Sequence, residues 1–125
     1  MNLKIGVRQI DGVMVIDVTG RIVLGEETAF FRQTVRDVLA HGHRKILLNM
    51  GGVPYIDSAG IGELAAAFLA VRQQGGELKL LNLTKKVHDV VQIVKLGSIF
   101  EICDNETAAL EAFARQPADP GSRAA

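Results

Sequence analysis

The segment from Lys45 to Leu81 alternates an apolar run, a helical pattern and a second apolar run. Ile46-Leu47-Leu48-Asn49-Met50 is too short for a helix of ordinary length and is rich in residues that suit a buried strand. Ile61, Leu64, Ala65, Phe68 and Leu69 then recur at helical spacing until Gly75-Gly76 stops them, and Leu78, Leu80 and Leu81 begin another strand. A strand, helix and strand over about thirty residues form a βαβ unit, in which the crossover is right-handed and the strands are parallel. This one unit commits the chain to an α/β fold.

The flanking pattern extends that sheet. Leu3, Ile5 and Val7 alternate with polar residues or glycine, Asp11-Gly12 is a type I′ turn signal, and Val13 to Val18 follows, which reads as an N-terminal β-hairpin. After a loop from Gly20 to Glu27, the residues Phe31, Val35, Val38 and Leu39 mark a helix of about four turns that ends near Gly42. Val87, Val90, Val91 and Val94 predict a third helix closed by Leu96-Gly97, with Lys85, His88, Gln92 and Lys95 on its wet side. A short segment Ile99 to Ile102 and a last helix, Thr107 to Arg115 with Leu110 and Phe113 inward, complete a single domain over residues 1–115. Residues 116–125, with two prolines, a glycine and three alanines, are expected to be a disordered tail. The expected architecture is a mixed central sheet, hairpin first and parallel strands after, with about four helices packed on it.

Charge and composition exclude several classes of function. A chain of 125 residues with 14 basic and 14 acidic side chains has no basic stripe for nucleic acid. Cys103 is the single cysteine, which suits a reducing cytoplasm and a small core side chain. No leader pattern and no run near the ~20 apolar residues of a membrane span are present. The three histidines show no zinc-ligand spacing, no phosphate-loop or dinucleotide motif occurs, and the aromatic content is too low for a stacking platform, so neither metal nor cofactor is expected.

The chemistry that remains lies at Tyr55-Ile56-Asp57-Ser58-Ala59-Gly60-Ile61-Gly62, on the strand-to-helix turn of the βαβ unit. Ser58 falls at a helix N-terminus, where unpaired N–H groups and the helix dipole favour an anion such as a phosphate carried by its hydroxyl. An Asp or Ser at that position is also a common N-cap, and both roles are open from these residues alone. A hydrolase is a poor fit, because Ile56 stands where a nucleophile elbow has glycine, and His41 and His43 sit before the strand that Ser58 follows, roughly 20 Å away. His88 alone lies at the same sheet edge, and its neighbours place it on a solvated face. Ala59, Gly60, Gly62 and Ala65 to Ala67 strip the helix start of bulk, either for packing on the sheet or for close approach by a partner. Phe30 projects off the apolar face of its helix, and burial under the Ile22 to Leu24 loop is favoured over exposure in a contact surface.

The run Gly52-Val53-Pro54-Tyr55-Ile56-Asp57-Ser58-Ala59-Gly60-Ile61-Gly62 resembles the signature loop of STAS domains, specifically the bacterial anti-sigma factor antagonists. Gly75-Gly76-Glu77-Leu78-Lys79-Leu80 and Leu96-Gly97-Ser98-Ile99-Phe100-Glu101-Ile102 stand where that family has its next strand and its late segment, so the resemblance covers residues 3–115. It implies a non-catalytic cytoplasmic partner switch: the domain binds an anti-sigma factor that is also a serine kinase, the kinase phosphorylates the serine equivalent to Ser58 and releases its product, and a phosphatase restores binding. The same resemblance assigns partner contact to Asp57, Ser58, Ala59, Gly60 and Gly62, joined by Arg21 and Ile22 of the neighbouring loop. Two positions depart from the family pattern. Antagonists often carry an acidic residue shortly after the glycine that ends the second strand, whereas this chain reads Gly20-Arg21-Ile22-Val23-Leu24, and Ala59 stands where serine or threonine is frequent. The family also includes scaffold subunits of stressosomes and of lipid-transport complexes, and a permanent structural contact through the same surface is the alternative reading.

Overall fold

A computed structural model describes residues 2–94 and 98–115. Strands β1 (Lys4–Ile10) and β2 (Val13–Thr19) form an antiparallel hairpin in unbroken register from Lys4 opposite Thr19 to Ile10 opposite Val13. Asp11 and Gly12 take φ values of 52° and 79°. Two consecutive left-handed residues are the type I′ geometry that matches the twist of the flanking strands.

Parallel strands β3 (Lys45–Gly52), β4 (Glu77–Leu81) and β5 (Glu101–Cys103) add in chain order, giving a five-stranded sheet β1-β2-β3-β4-β5. Helices α1 (Glu26–Ala40), α2 (Ser58–Gln73) and α3 (Lys85–Ile93) connect successive parallel strands. Each crossover steps to the next strand in the same direction, so right-handed crossovers must put all three helices on one face. They do: Phe31 and Val35 of α1, Ile61 and Leu64 of α2, and Val87 and Val91 of α3 share one core with Ile46, Leu48 and Met50 of β3. Helix α4 (Glu106–Arg115) returns on the opposite face, where Ala109 and Phe113 pack on Val13, Val15, Leu47 and Leu81. Both faces of β3 are therefore covered, which is why its sequence is apolar almost without alternation. Phe30 is half-buried against the larger core.

Three side chains expected inward are not. Val7 is exposed because β1 is the outer strand: Leu3 and Ile5 at its start reach the larger core and Ile10 at its end the smaller one, while its middle is left to solvent. Leu69 is 56% exposed: the buried line of α2 runs through Ile61, Leu64, Ala67 and Val71, and two positions beyond Ala67 lie on the far side of a 3.6-residue helix. Val94 is exposed because α3 ends at Ile93 and the chain turns there. His88, expected on the wet side, is half-buried. The expected closure at Leu96-Gly97, the position of Lys95 and the tail 116–125 lie outside the described residues.

Candidate functional site

The C-terminal ends of β2 and β3 open into two loops that are joined edge to edge. Ile22 and Ile56 form a single parallel bridge, in which the Ile22 N–H donates to the Tyr55 carbonyl at 3.2 Å and the Asp57 N–H donates to the Ile22 carbonyl at 3.3 Å. Both isoleucine side chains point into the core, and Ile22 is fully buried. Asp57 completes the seam. Its Oδ1 accepts the Gly60 N–H at 2.8 Å, which makes it the N-cap of α2, and its Oδ2 accepts the Leu24 N–H at 3.0 Å from the other loop. The Leu24 N–H, assisted by that of Gly60 and opposed by partial burial, holds the Asp57 carboxyl below the ordinary aspartate value.

This arrangement resolves the ambiguity at the helix start. Capping belongs to Asp57, and Ser58, the first residue of the 16-residue α2, is exposed with no side-chain hydrogen bond among the described residues. Its hydroxyl is presented to solvent at a helix N-terminus without a structural task. The two glycines separate in the same way. A Cβ at Gly60 would collide with the Ile22 carbonyl oxygen and lie 2.5 Å from Ile56 Cγ1, so this glycine exists for packing, whereas a Cβ at Gly62 would meet nothing within 4 Å. Of the residues expected to touch a partner, Ile22 and Gly60 are thus buried beneath the surface and serve to hold the loops together. Asp57 and Ala59 are half-buried, and Ser58, Gly62 and Arg21 face solvent.

To Arg21, already named from the sequence, the fold adds Tyr55, Lys86, Leu24 and Thr84. The Arg21 guanidinium lies over the Tyr55 ring, 5.1 Å from its centroid, and the Lys86 ammonium approaches the same ring at 5.7 Å. Leu24, beside them in the β2–α1 loop, is 77% exposed. Thr84 caps α3 by accepting the Val87 N–H at 3.4 Å and donates its hydroxyl to the Val53 carbonyl at 3.0 Å, which fixes the start of α3 against the Ser58 loop. No local motif announces these contacts, because Arg21 and Tyr55 come from two separate loops and Lys86 from the first turn of α3.

The histidines do not converge on Ser58 among the described residues. His41 sits at the α1–β3 turn, where its Nδ1 lies 2.7 Å from the Asp37 carbonyl oxygen, at the opposite end of β3 from Ser58. Among the described residues no histidine bonds to Ser58, no group of three His, Cys, Asp or Glu could hold a metal ion, and no helix is long and apolar enough to cross a membrane. Cys103 packs half-buried against the smaller core, and burial pushes its thiol pKa up.

Comparison with known proteins agrees with this architecture. The family model for the STAS domain matches residues 4–109. The anti-sigma F factor antagonist of Paenibacillus polymyxa is 26% identical over 88% of this chain and 94% of its own length. For the anti-sigma-B factor antagonist of Bacillus subtilis the figures are 28% identity over 82% of this chain and 92% of its own. A crystal structure of a candidate anti-sigma factor antagonist from Thermotoga maritima superposes with a TM-score of 0.83 at 26% identity, covering 89% of this chain and 95% of that one. With the family model spanning most of the sheet and helices, and the Asp57-Ser58 turn in place at the sheet's C-terminal edge, the chain belongs to the STAS domain family.

Proposed function

We propose that this protein is an anti-sigma factor antagonist, a non-catalytic module that binds an anti-sigma factor with serine kinase activity and is released when Ser58 is phosphorylated. The observation that carries the reading is the division of labour at the α2 N-terminus: Asp57 caps the helix and ties down the loop, leaving the Ser58 hydroxyl exposed and unengaged. The relatives named as antagonists support it. In the transfer step the Ser58 Oγ attacks the γ-phosphorus of ATP held by the kinase, ADP leaves, and the hydroxyl proton passes to a base of the kinase. The product carries about −1.5 to −2 charges next to the Asp57 carboxylate. A partner docked over Ser58 then faces uncompensated like charge and desolvation, and a coupling of about 1–3 kcal/mol changes affinity roughly 5–150-fold. A phosphatase would return the hydroxyl.

Gly62 and Ala59 leave the approach to Ser58 free of bulk, while Gly60 and Ile22 keep the serine at a fixed height on the seam. The test is binding of the purified Ser58→Ala and Ser58→Asp variants to the anti-sigma factors encoded in the same genome. Retention by the alanine form and loss by the aspartate form support the switch. Equal binding by both forms overturns it and favours a permanent scaffold contact.

A further inference from the structure

The surface around Ser58 carries its own unpaired charge. Arg21 and Lys86 are exposed, both lie on the Tyr55 ring, and neither has a carboxylate partner among the described residues. The Tyr55 ring, three residues before Ser58, thus gathers two cations next to the serine. Of the neighbouring acids two are ion-paired and two are bonded to backbone N–H groups. Asp57 is turned into the seam between the loops, Glu63 pairs with Arg32 at 3.0 Å, Asp89 pairs with Lys85 at 3.1 Å, and Glu27 accepts the Asn2 N–H at 3.4 Å. Glu26, at the start of α1, has no side-chain partner among the described residues. Next to the cations stands Leu24, a large apolar side chain held out in solvent by a loop whose backbone is pinned to Asp57.

We infer that the protein docking on the Ser58 face presents an acidic surface: carboxylates that meet Arg21 and Lys86 around a shallow apolar seat for Leu24. The inference rests on the reading of Ser58 as the docking point and specifies the chemistry of the partner there. Cations at the rim steer an acidic partner and set the association rate more than the residence time. The same polarity sharpens the switch. A phosphate on Ser58 places like charge in front of the partner's carboxylates and competes with them for Arg21 and Lys86.

The experiment measures association and dissociation rates of the host anti-sigma factor on the immobilised full chain at low and high salt. The forms compared are wild type, Arg21→Glu/Lys86→Glu, Arg21→Gln/Lys86→Gln, and Arg36→Glu as an exposed charge change away from this face, each first checked for native circular dichroism. The reversed pair is expected to associate at least about tenfold more slowly at low salt, the neutralised pair to fall between, and the gap to close as salt rises, with dissociation and the Arg36→Glu form little changed. If the reversed pair does not fold, the neutralised pair alone carries the comparison. Association that is unchanged or faster in the charge variants, while Ser58→Asp still blocks binding, overturns the acidic partner and leaves the switch standing. No binding by wild type to any host anti-sigma factor overturns both.

Discussion

Replacing Gly60 by alanine tests the seam that positions Ser58. The new Cβ would overlap the Ile22 carbonyl oxygen and come within 2.5 Å of Ile56 Cγ1. Neither neighbour can yield cheaply, since that carbonyl accepts the Asp57 N–H and Ile56 is 2% exposed. Overpacking of this kind costs about 1–3 kcal/mol. Displacing the Gly60 N–H from Asp57 Oδ1, now at 2.8 Å, weakens a cap worth about 1 kcal/mol. Alanine returns at most about 1 kcal/mol of helix propensity, so the net loss is about 2 kcal/mol. For a domain of this size about 4 °C of Tm accompanies each kcal/mol, which places the drop near 8 °C. Gly62→Ala, two residues on with open space around the Cβ, should instead gain about 0.5–1 kcal/mol. Thermal unfolding followed by circular dichroism reads both. A Gly60→Ala protein as stable as wild type, or a Gly62→Ala protein destabilised equally, would refute the assignment of one glycine to packing and the other to the surface.

Asp57→Ala should lose about 1–2 kcal/mol in urea unfolding, whereas Asp57→Asn, which can still accept at the cap, should lose less. Asp17 is held below the ordinary carboxylate value mainly by the Arg8 guanidinium, at 2.6 and 2.8 Å, and Asp57 by backbone N–H groups. Both carboxyls protonate less readily folded than unfolded, so their stabilisation is complete above the unfolded value near 3.8 and is lost as pH falls through the lower folded values. Urea midpoints measured downward from about pH 6 should therefore fall steeply below about pH 4, and less steeply in Arg8→Ala. Phe113→Ala should cost about 3–4 kcal/mol, because this ring fills the core beneath α4 and lies 5.0 Å from the buried Lys79 ammonium; a loss under about 1 kcal/mol would show that α4 is not docked there.

The parts of this fold that repeat with a local period were readable from the chain alone. Asp11-Gly12 encodes its own turn, and Ile46 to Met50 declares a strand covered on both faces because no polar residue interrupts the side that meets α4 until Asn49. The direction of each crossover followed from handedness. At the site, a motif could place Ser58 at a helix start but could not say whether Asp57 or Ser58 caps it. That depends on the Asp57 carboxylate gathering the Gly60 amide, three residues on, and the Leu24 amide, 33 residues back in sequence. Ile22 looked like a contact residue for the same reason: its burial is set by a bridge to Ile56 that leaves no trace in the local sequence of the β2–α1 loop. The Arg21, Tyr55 and Lys86 cluster was illegible because its members share no period and no element.

Phosphorylation at a single atom tests the central claim most directly. Wild type and Ser58→Ala protein are each incubated with the host anti-sigma factor kinase and magnesium ATP, and the products are mapped by peptide mass spectrometry. The account predicts one phosphoryl group on wild type, located on Ser58, none on the variant, and release of the modified protein from the kinase. Modification elsewhere with Ser58 untouched, or a phosphorylated Ser58 that still binds as tightly as before, would contradict it.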